Sequence, residues 1–271
     1  MRATAETALV QGAQRSLPLL RRLLDAEHED LHEVTFEIIR RIGPSAIPLL
    51  VELLGHEWDS IRRNAADALI DLPPNTETIQ PALRRALSDA DAMVAGDAAR
   101  ALGALGARAS PSIDALVSTL SHENPYVRIY AAEALASIGQ AAARATPALA
   151  RALEDPAPGV RWAACEALGS IGPAAQSAVP QLITALKDEF LYVRIFAAGA
   201  LGSIGAKASS AREALRAAAD DPALRDEAEW ALSRIAGVGE PVAPFSPPPP
   251  PVAHRFETVV QTGNPPIDWD T

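Results

Sequence analysis

The segment Tyr126 to Gly139, YVRIYAAEALASIG, recurs along the chain, and that recurrence limits the fold more than any other feature. With Val127 as the register mark, the same slot holds Leu31, Ile61, Val94, Val160, Val193 and Leu224, spaced by 30, 33, 33, 33, 33 and 31 residues. Eight residues beyond each mark stands Ile39, Leu69, Leu102, Leu135, Leu168, Leu201 or Leu232. Three further on stands Ile42, Leu72, Leu105, Ile138, Ile171, Ile204 or Ile235. A fixed period of this length is the signature of stacked units, each unable to bury its own apolar face. Counted from the mark, apolar residues at 0, +4, +8 and +11 share one face of a 3.6-residue helix. Positions +4 and +7 are nearly always Ala, so neighbouring helices can approach closely. The expected fold is an all-α solenoid of about seven two-helix units.

Within each unit a first helix is expected from stretches such as IPLLVELL, TPALARALED and VPQLITALKD. Pro18, Pro48, Pro81, Pro147 and Pro180 share one slot, read as its first turn, where the missing amide would have no intrahelical partner. A turn holding Asp89, Asp155 or Asp188 leads to the second helix. That helix stops at Gly43, Gly106, Gly139, Gly172 or Gly205, read as a left-handed C-terminal cap. Pro73 and Pro74 replace the glycine stop in the second unit. Asp226, Glu227 and Glu229 give the last helix a polar, capping surface. The expected boundaries are a cap segment at 1–15, the array at 16–238, and a proline-rich tail at 239–271 without a packed core.

Aromatic residues make up only 4% of the chain, which suits close-packed helices and not a β-rich fold. The formal net charge of −10 opposes nonspecific binding to phosphates, so no nucleic-acid partner is expected. No run approaches the roughly 18 apolar residues of a membrane span. The N-terminal residues lack the apolar core of a signal peptide, and one cysteine allows no internal disulfide, so the expected address is cytoplasmic.

The segments VRIYAAEALASIG, VRWAACEALGSIG and VRIFAAGALGSIG resemble HEAT repeats of the short kind named after phycobilisome lyase subunits and used in designed HEAT-like binders. The resemblance covers about residues 16–238 and implies a right-handed superhelix with the second helices on its concave face. It also implies an Asp–Arg ladder, mapping onto Asp155 with Arg161 and Asp188 with Arg194. Arg62, Arg128 and Arg225 keep the arginine, while Ala95 and His32 depart from it.

His-Glu pairs occur at His28-Glu29, His32-Glu33, His56-Glu57 and His122-Glu123. Deoxyhypusine hydroxylase, also a HEAT protein, holds two irons with such pairs at +2 and +3 of the second helix. Here those slots hold Ile129-Tyr130, Trp162-Ala163 and Ile195-Phe196, so no metal or cofactor is expected. Cys165 replaces an alanine of the packing set and reads as a small core residue. With no phosphate loop, catalytic triad or Cys-x-x-Cys, the expectation is a protein that is not an enzyme.

Slots −1, +2, +3 and +6 fall outside the buried set and are read as facing the concave groove. In the later units they hold Tyr126, Ile129, Tyr130, Glu133, Trp162, Tyr192, Ile195, Phe196 and Trp230. Units two and three hold Ser60, Arg63, Asn64, Asp67, Gly96, Asp97 and Arg100 instead. Six aromatics at ~150–250 Å² each could present on the order of 1,000 Å², comparable with one side of a standard interface. Tyr and Trp beside Arg128, Arg161 and Arg194 match hot-spot composition. The expected function is a non-catalytic adaptor binding a protein or peptide through these residues. Its own tail is one candidate ligand, through Phe256, Val259, Val260 and Ile267. The alternative is a bilin lyase-like or other tetrapyrrole-handling protein, with a flat ligand in the same groove.

Overall fold

The structure is a computed structural model describing residues 12–25, 29–72 and 76–237. Its described residues form seven helix pairs: α1 Ala13–Leu24 with α2 Glu29–Ile42; α3 Ile47–Leu53 with α4 Asp59–Ile70; α5 Thr76–Ala86 with α6 Ala92–Ala104; and α7 Ile113–Thr119 with α8 Pro125–Ile138. The array continues with α9 Thr146–Ala152 and α10 Pro158–Ile171, α11 Val179–Ala185 and α12 Leu191–Ile204, and α13 Arg212–Ala218 and α14 Arg225–Ala236. No strand occurs among the described residues. The chain is therefore an all-α solenoid of two-helix units. The tail at 239–271, residues 1–11 of the proposed cap and the Pro73-Pro74 break lie outside the described residues, while residues 13–15 already belong to α1.

The even helices stack side by side, α4 on α6, α6 on α8 and onward to α14, and this layer makes the denser inter-unit contacts. This is the layer that the HEAT resemblance assigns to the concave face. The repeat explains the closeness. Gly103 sits against the backbone of Ala134, and a Cβ built on it would lie 3.1 Å from that Cα; Gly169 meets Ala200 at 3.2 Å in the same way. The marks Ile61, Val94, Val127, Val160 and Val193 are fully buried, as are Leu102, Leu135, Leu168 and Leu201. A buried Leu or Ile contributes about 1.5–3 kcal/mol, repeated at every unit.

Three sequence expectations change. Leu31, expected in the core, is 37% exposed, because it stands at the open first turn of the outermost even helix; Phe36 and Ile39 carry that unit's burial instead. Pro48, Pro147 and Pro180 do sit in first turns, but Pro18 and Pro81 lie inside α1 and α5. Those two helices begin a turn earlier, without the separate 3₁₀ segment that precedes α3, α7, α9, α11 and α13. The glycine stops are real, but three of them are not left-handed helical caps. Gly139, Gly172 and Gly205 have φ of 66–69° with ψ between −136° and −140°, a region essentially reserved for glycine. This turns each of those helices straight into a 3₁₀ segment, whereas Gly237 adopts the αL form.

Candidate functional site: the concave face

The ladder comes first, because it decides which arginines are available. Arg62, Arg128 and Arg161 each make two parallel bonds to an aspartate 27 residues on, in the following unit. Arg128 Nε and Nη2 donate to Asp155 at 2.8 and 2.8 Å, and Arg161 donates to Asp188 at 2.8 and 2.9 Å. Arg62 pairs with Asp89 at 2.7 and 2.8 Å. The partnership implied by the HEAT resemblance, Asp155 with Arg161 and Asp188 with Arg194, is therefore shifted. Within a unit the arginine reaches only main chain: Arg161 Nη1 donates to the Asp155 carbonyl at 2.9 Å, and Arg194 Nη1 to the Asp188 carbonyl at 2.9 Å. Each ladder aspartate also accepts an amide two residues on, as Asp155 does from Ala157 at 2.9 Å. Arg194 ends the series with a loose ion pair to Asp221 at 3.7 Å.

The histidine of two His-Glu pairs fills the ladder's aspartate slot. His56 and His122 accept the same amide through Nδ1, from Trp58 at 3.1 Å and Asn124 at 3.0 Å. Ala95 stands where an arginine would face His122, so that slot has no arginine to bind. His56 packs near Trp58, as does His32, with ring centroids 5.5 Å apart in both pairs. Burial, followed by Arg21, holds His56 below its ordinary pKa. His28 lies outside the described residues. Cys165 is fully buried, and burial pushes its thiol pKa up, away from a thiolate nucleophile.

Sequence reasoning placed Ile129, Trp162, Ile195 and Phe196 outside the buried set, and here the structure corrects it. Trp162 is 8% exposed and Phe196 3%, with ring centroids 5.4 Å apart; Ile129 and Ile195 are each 5% exposed. The cause is lateral: even helices stand so close that a +2 side chain on one meets a +3 side chain on the next, as Trp162 meets Phe196. Gly159 makes room for Ile129 in the same manner. Tyr126, Tyr130, Glu133, Tyr192 and Trp230 remain half-buried on this face. Trp230 lies across Gly202, where an added Cβ would fall 2.2 Å from its ring. Of the three site arginines, Arg128 and Arg161 are held by the ladder. Arg161 also sits over the Phe190 ring at 5.4 Å.

Sequence reasoning missed the organisation of the N-terminal half. Asp97, buried on α6, accepts from Arg100 Nη1 at 2.9 Å and faces Arg63 at 3.6 Å. Arg100 also lies 3.8 Å from Asp67, which pairs with Arg40 on α2, and stacks over Tyr130 at 5.6 Å. Burial raises the pKa of Asp97 despite its arginines, with Asp67 adding to the effect. The signal was present as opposite charges one unit apart in concave slots. Glu166 was missed too, although it holds the slot of Glu133 one unit on. Burial raises both carboxyls; for Glu133, with Glu166 as the second cause, the pKa reaches about 7.

Clefts of about 450, 530 and 470 Å³ lie on successive seams between odd helices, α3 with α5, α5 with α7, and α7 with α9. They recur with the repeat and mark its stacking, not one specific site. Among the described residues no group of three His, Cys, Asp or Glu is placed to hold a metal ion, and no helix is long and apolar enough to cross a membrane.

The model of the HEAT repeats matches residues 113–180 and 173–233. No curated protein matches the chain. Among solved structures, one engineered protein is 24% identical with a TM-score of 0.62, covering 87% of this chain and 71% of its own. Another engineered protein is 25% identical with a TM-score of 0.58, covering 70% of this chain and 96% of its own. A designed armadillo repeat protein in complex with the peptide (KR)4 is 19% identical with a TM-score of 0.54, covering 69% and 99%.

Proposed function

We propose that the chain, whose residues 113–233 match the HEAT-repeat model, is a HEAT-repeat protein and a non-catalytic scaffold binding a protein segment along the concave face of α8–α14. One observation carries the reading. The packing slots stay constant from unit to unit, whereas the concave slots change from paired ions on α4 and α6 to half-buried aromatics and carboxylates on α8–α14. Stacking the units does not require that change. Tyr126, Tyr130 and Tyr192 are the accessible anchors, and Trp162, Ile129, Ile195 and Phe196 form the apolar floor beneath them. Arg128, Arg161 and Arg194 act in this reading by fixing the helices, not by touching the ligand.

Peptide display tests it. Random extended peptides are selected on the native protein and counter-screened on the Tyr126→Ser/Tyr192→Ser variant at matched melting temperature. Peptides that lose at least tenfold in affinity on the variant support the groove; a peptide set bound equally by both proteins sinks it. The segment 239–271, with Phe256, Val259, Val260 and Ile267, is proposed as one such ligand in cis. Its deletion should then raise the affinity for the selected peptides. A flat tetrapyrrole in the same place is the weaker reading, because Trp162 and Phe196 already contact each other at 5.4 Å and fill that stretch. Absorbance of the protein mixed with bilin separates the two.

A further inference from the structure

The concave slots of α8 and α10 carry two carboxylates that the described residues leave without a cation. Glu133 and Glu166 occupy one register position on adjacent helices, six residues past Val127 and Val160. One unit earlier that position is Arg100, whose guanidinium serves Asp97 at 2.9 Å and lies over the Tyr130 ring at 5.6 Å. The same relation carried forward sets Glu133 beside Ala163 and Glu166 beside Phe196, and neither neighbour offers a countercharge. Arg128 and Arg161, on the same two helices, are taken up by Asp155 and Asp188. Arg100 acts on Glu133 only at a distance, against the larger effects of burial and of Glu166. Among the described residues, neither glutamate makes a hydrogen bond or ion pair.

Adjacent helix axes stand about 8–10 Å apart, so two glutamates at equal register can converge on one planar cation between them. A guanidinium suits that geometry better than an ammonium. It spans two carboxylates with parallel N–H donors and can lie flat on an aromatic face, as Arg100 does on Tyr130, the residue one turn before Glu133 on α8. An incoming cation would also relieve the cost of holding the charged carboxylates in a partly desolvated face.

We propose that the concave face at α8 and α10 receives an arginine side chain of an extended protein segment, its guanidinium held between Glu133 and Glu166. The assignment rests on the groove reading above and names its ligand chemistry: an arginine flanked by apolar residues that settle on the tyrosine rows.

The test uses an array of nine-residue peptides with arginine fixed at the centre and mixed aromatic and aliphatic flanks, beside the same array with citrulline. Both are titrated against the full-length protein. Arginine peptides should bind at least tenfold tighter than their citrulline partners, and Glu133→Gln/Glu166→Gln should remove that difference while leaving the unfolding midpoint undiminished. If both arrays bind equally and both depend on Tyr126 and Tyr192, the arginine site is overturned and the groove survives. Absence of binding by either array overturns both. If Arg255→Gln raises the affinity for arginine peptides, the chain's own Arg255 is a competing occupant and the arginine site is upheld.

Discussion

The two halves of the concave face are built on one helical register and use it in opposite ways. On α2–α6, Arg40, Arg63 and Arg100 pair with Asp67 and Asp97 across three units, so the carboxylates of that half have their cations within it. On α8–α14 the same slots hold rings and carboxylates. There Trp162 and Phe196 satisfy each other, while Glu133 and Glu166 are left without a cation among the described residues. A solenoid can therefore keep its fold constant and vary its inner surface unit by unit, because the mark and the +4, +7, +8 and +11 positions repeat in the buried set while −1, +2, +3 and +6 change. The contrast also separates two kinds of residue within the aromatic half: those that hold neighbouring helices together and those that face outward from them.

The largest effect expected from breaking this contrast is at Trp162. Trp162→Ala should cost about 3–5 kcal/mol in urea unfolding, since it removes a buried ring packed on Phe196. A change below 1 kcal/mol would return Trp162 to the accessible set. In the other half, Asp97→Ala should cost about 2 kcal/mol, less than for a fully buried pair, because Arg63 and Arg100 are each about one-third exposed and can regain water. Arg100→Ala in the Asp97→Ala background should then add little, which a double-mutant cycle would read directly.

A smaller effect of opposite sign is expected at Glu133. Folded, this carboxyl keeps its proton up to about pH 7; unfolded, it loses it near 4.5. The destabilisation is therefore absent below pH 4.5, grows between 4.5 and 7, and is complete above 7. Glu133→Gln should raise stability by about 1–2 kcal/mol at pH 8 and leave it unchanged at pH 4, read from unfolding midpoints at both pH values. The smallest effect on stability belongs to Tyr192→Ser, within about 1 kcal/mol, because the ring is half-buried at a helix start. Its binding defect should be far larger than its stability defect. Equal losses in both would place Tyr192 with Trp162.

Much of this molecule was legible before any coordinates. A slot that recurs near every 33 residues states that units stack, and apolar spacing of 3.6 states that helices do the stacking. Gly139, Gly172 and Gly205 mark the stops because no other residue tolerates their backbone. The sequence also showed that concave composition changes between the third and fourth units. It could not show that Trp162 and Phe196 meet, that the ladder runs from Arg161 forward to Asp188 and not back to Asp155, or that Arg100 bridges Asp97 and Tyr130. Periodicity fixes the direction of a side chain around its own helix. Whether that chain ends in solvent, in a neighbour or against an opposite charge depends on the distance and offset to the next helix. Those are set by small residues such as Gly103 and Ala134 touching across units, and only the assembled stack decides them.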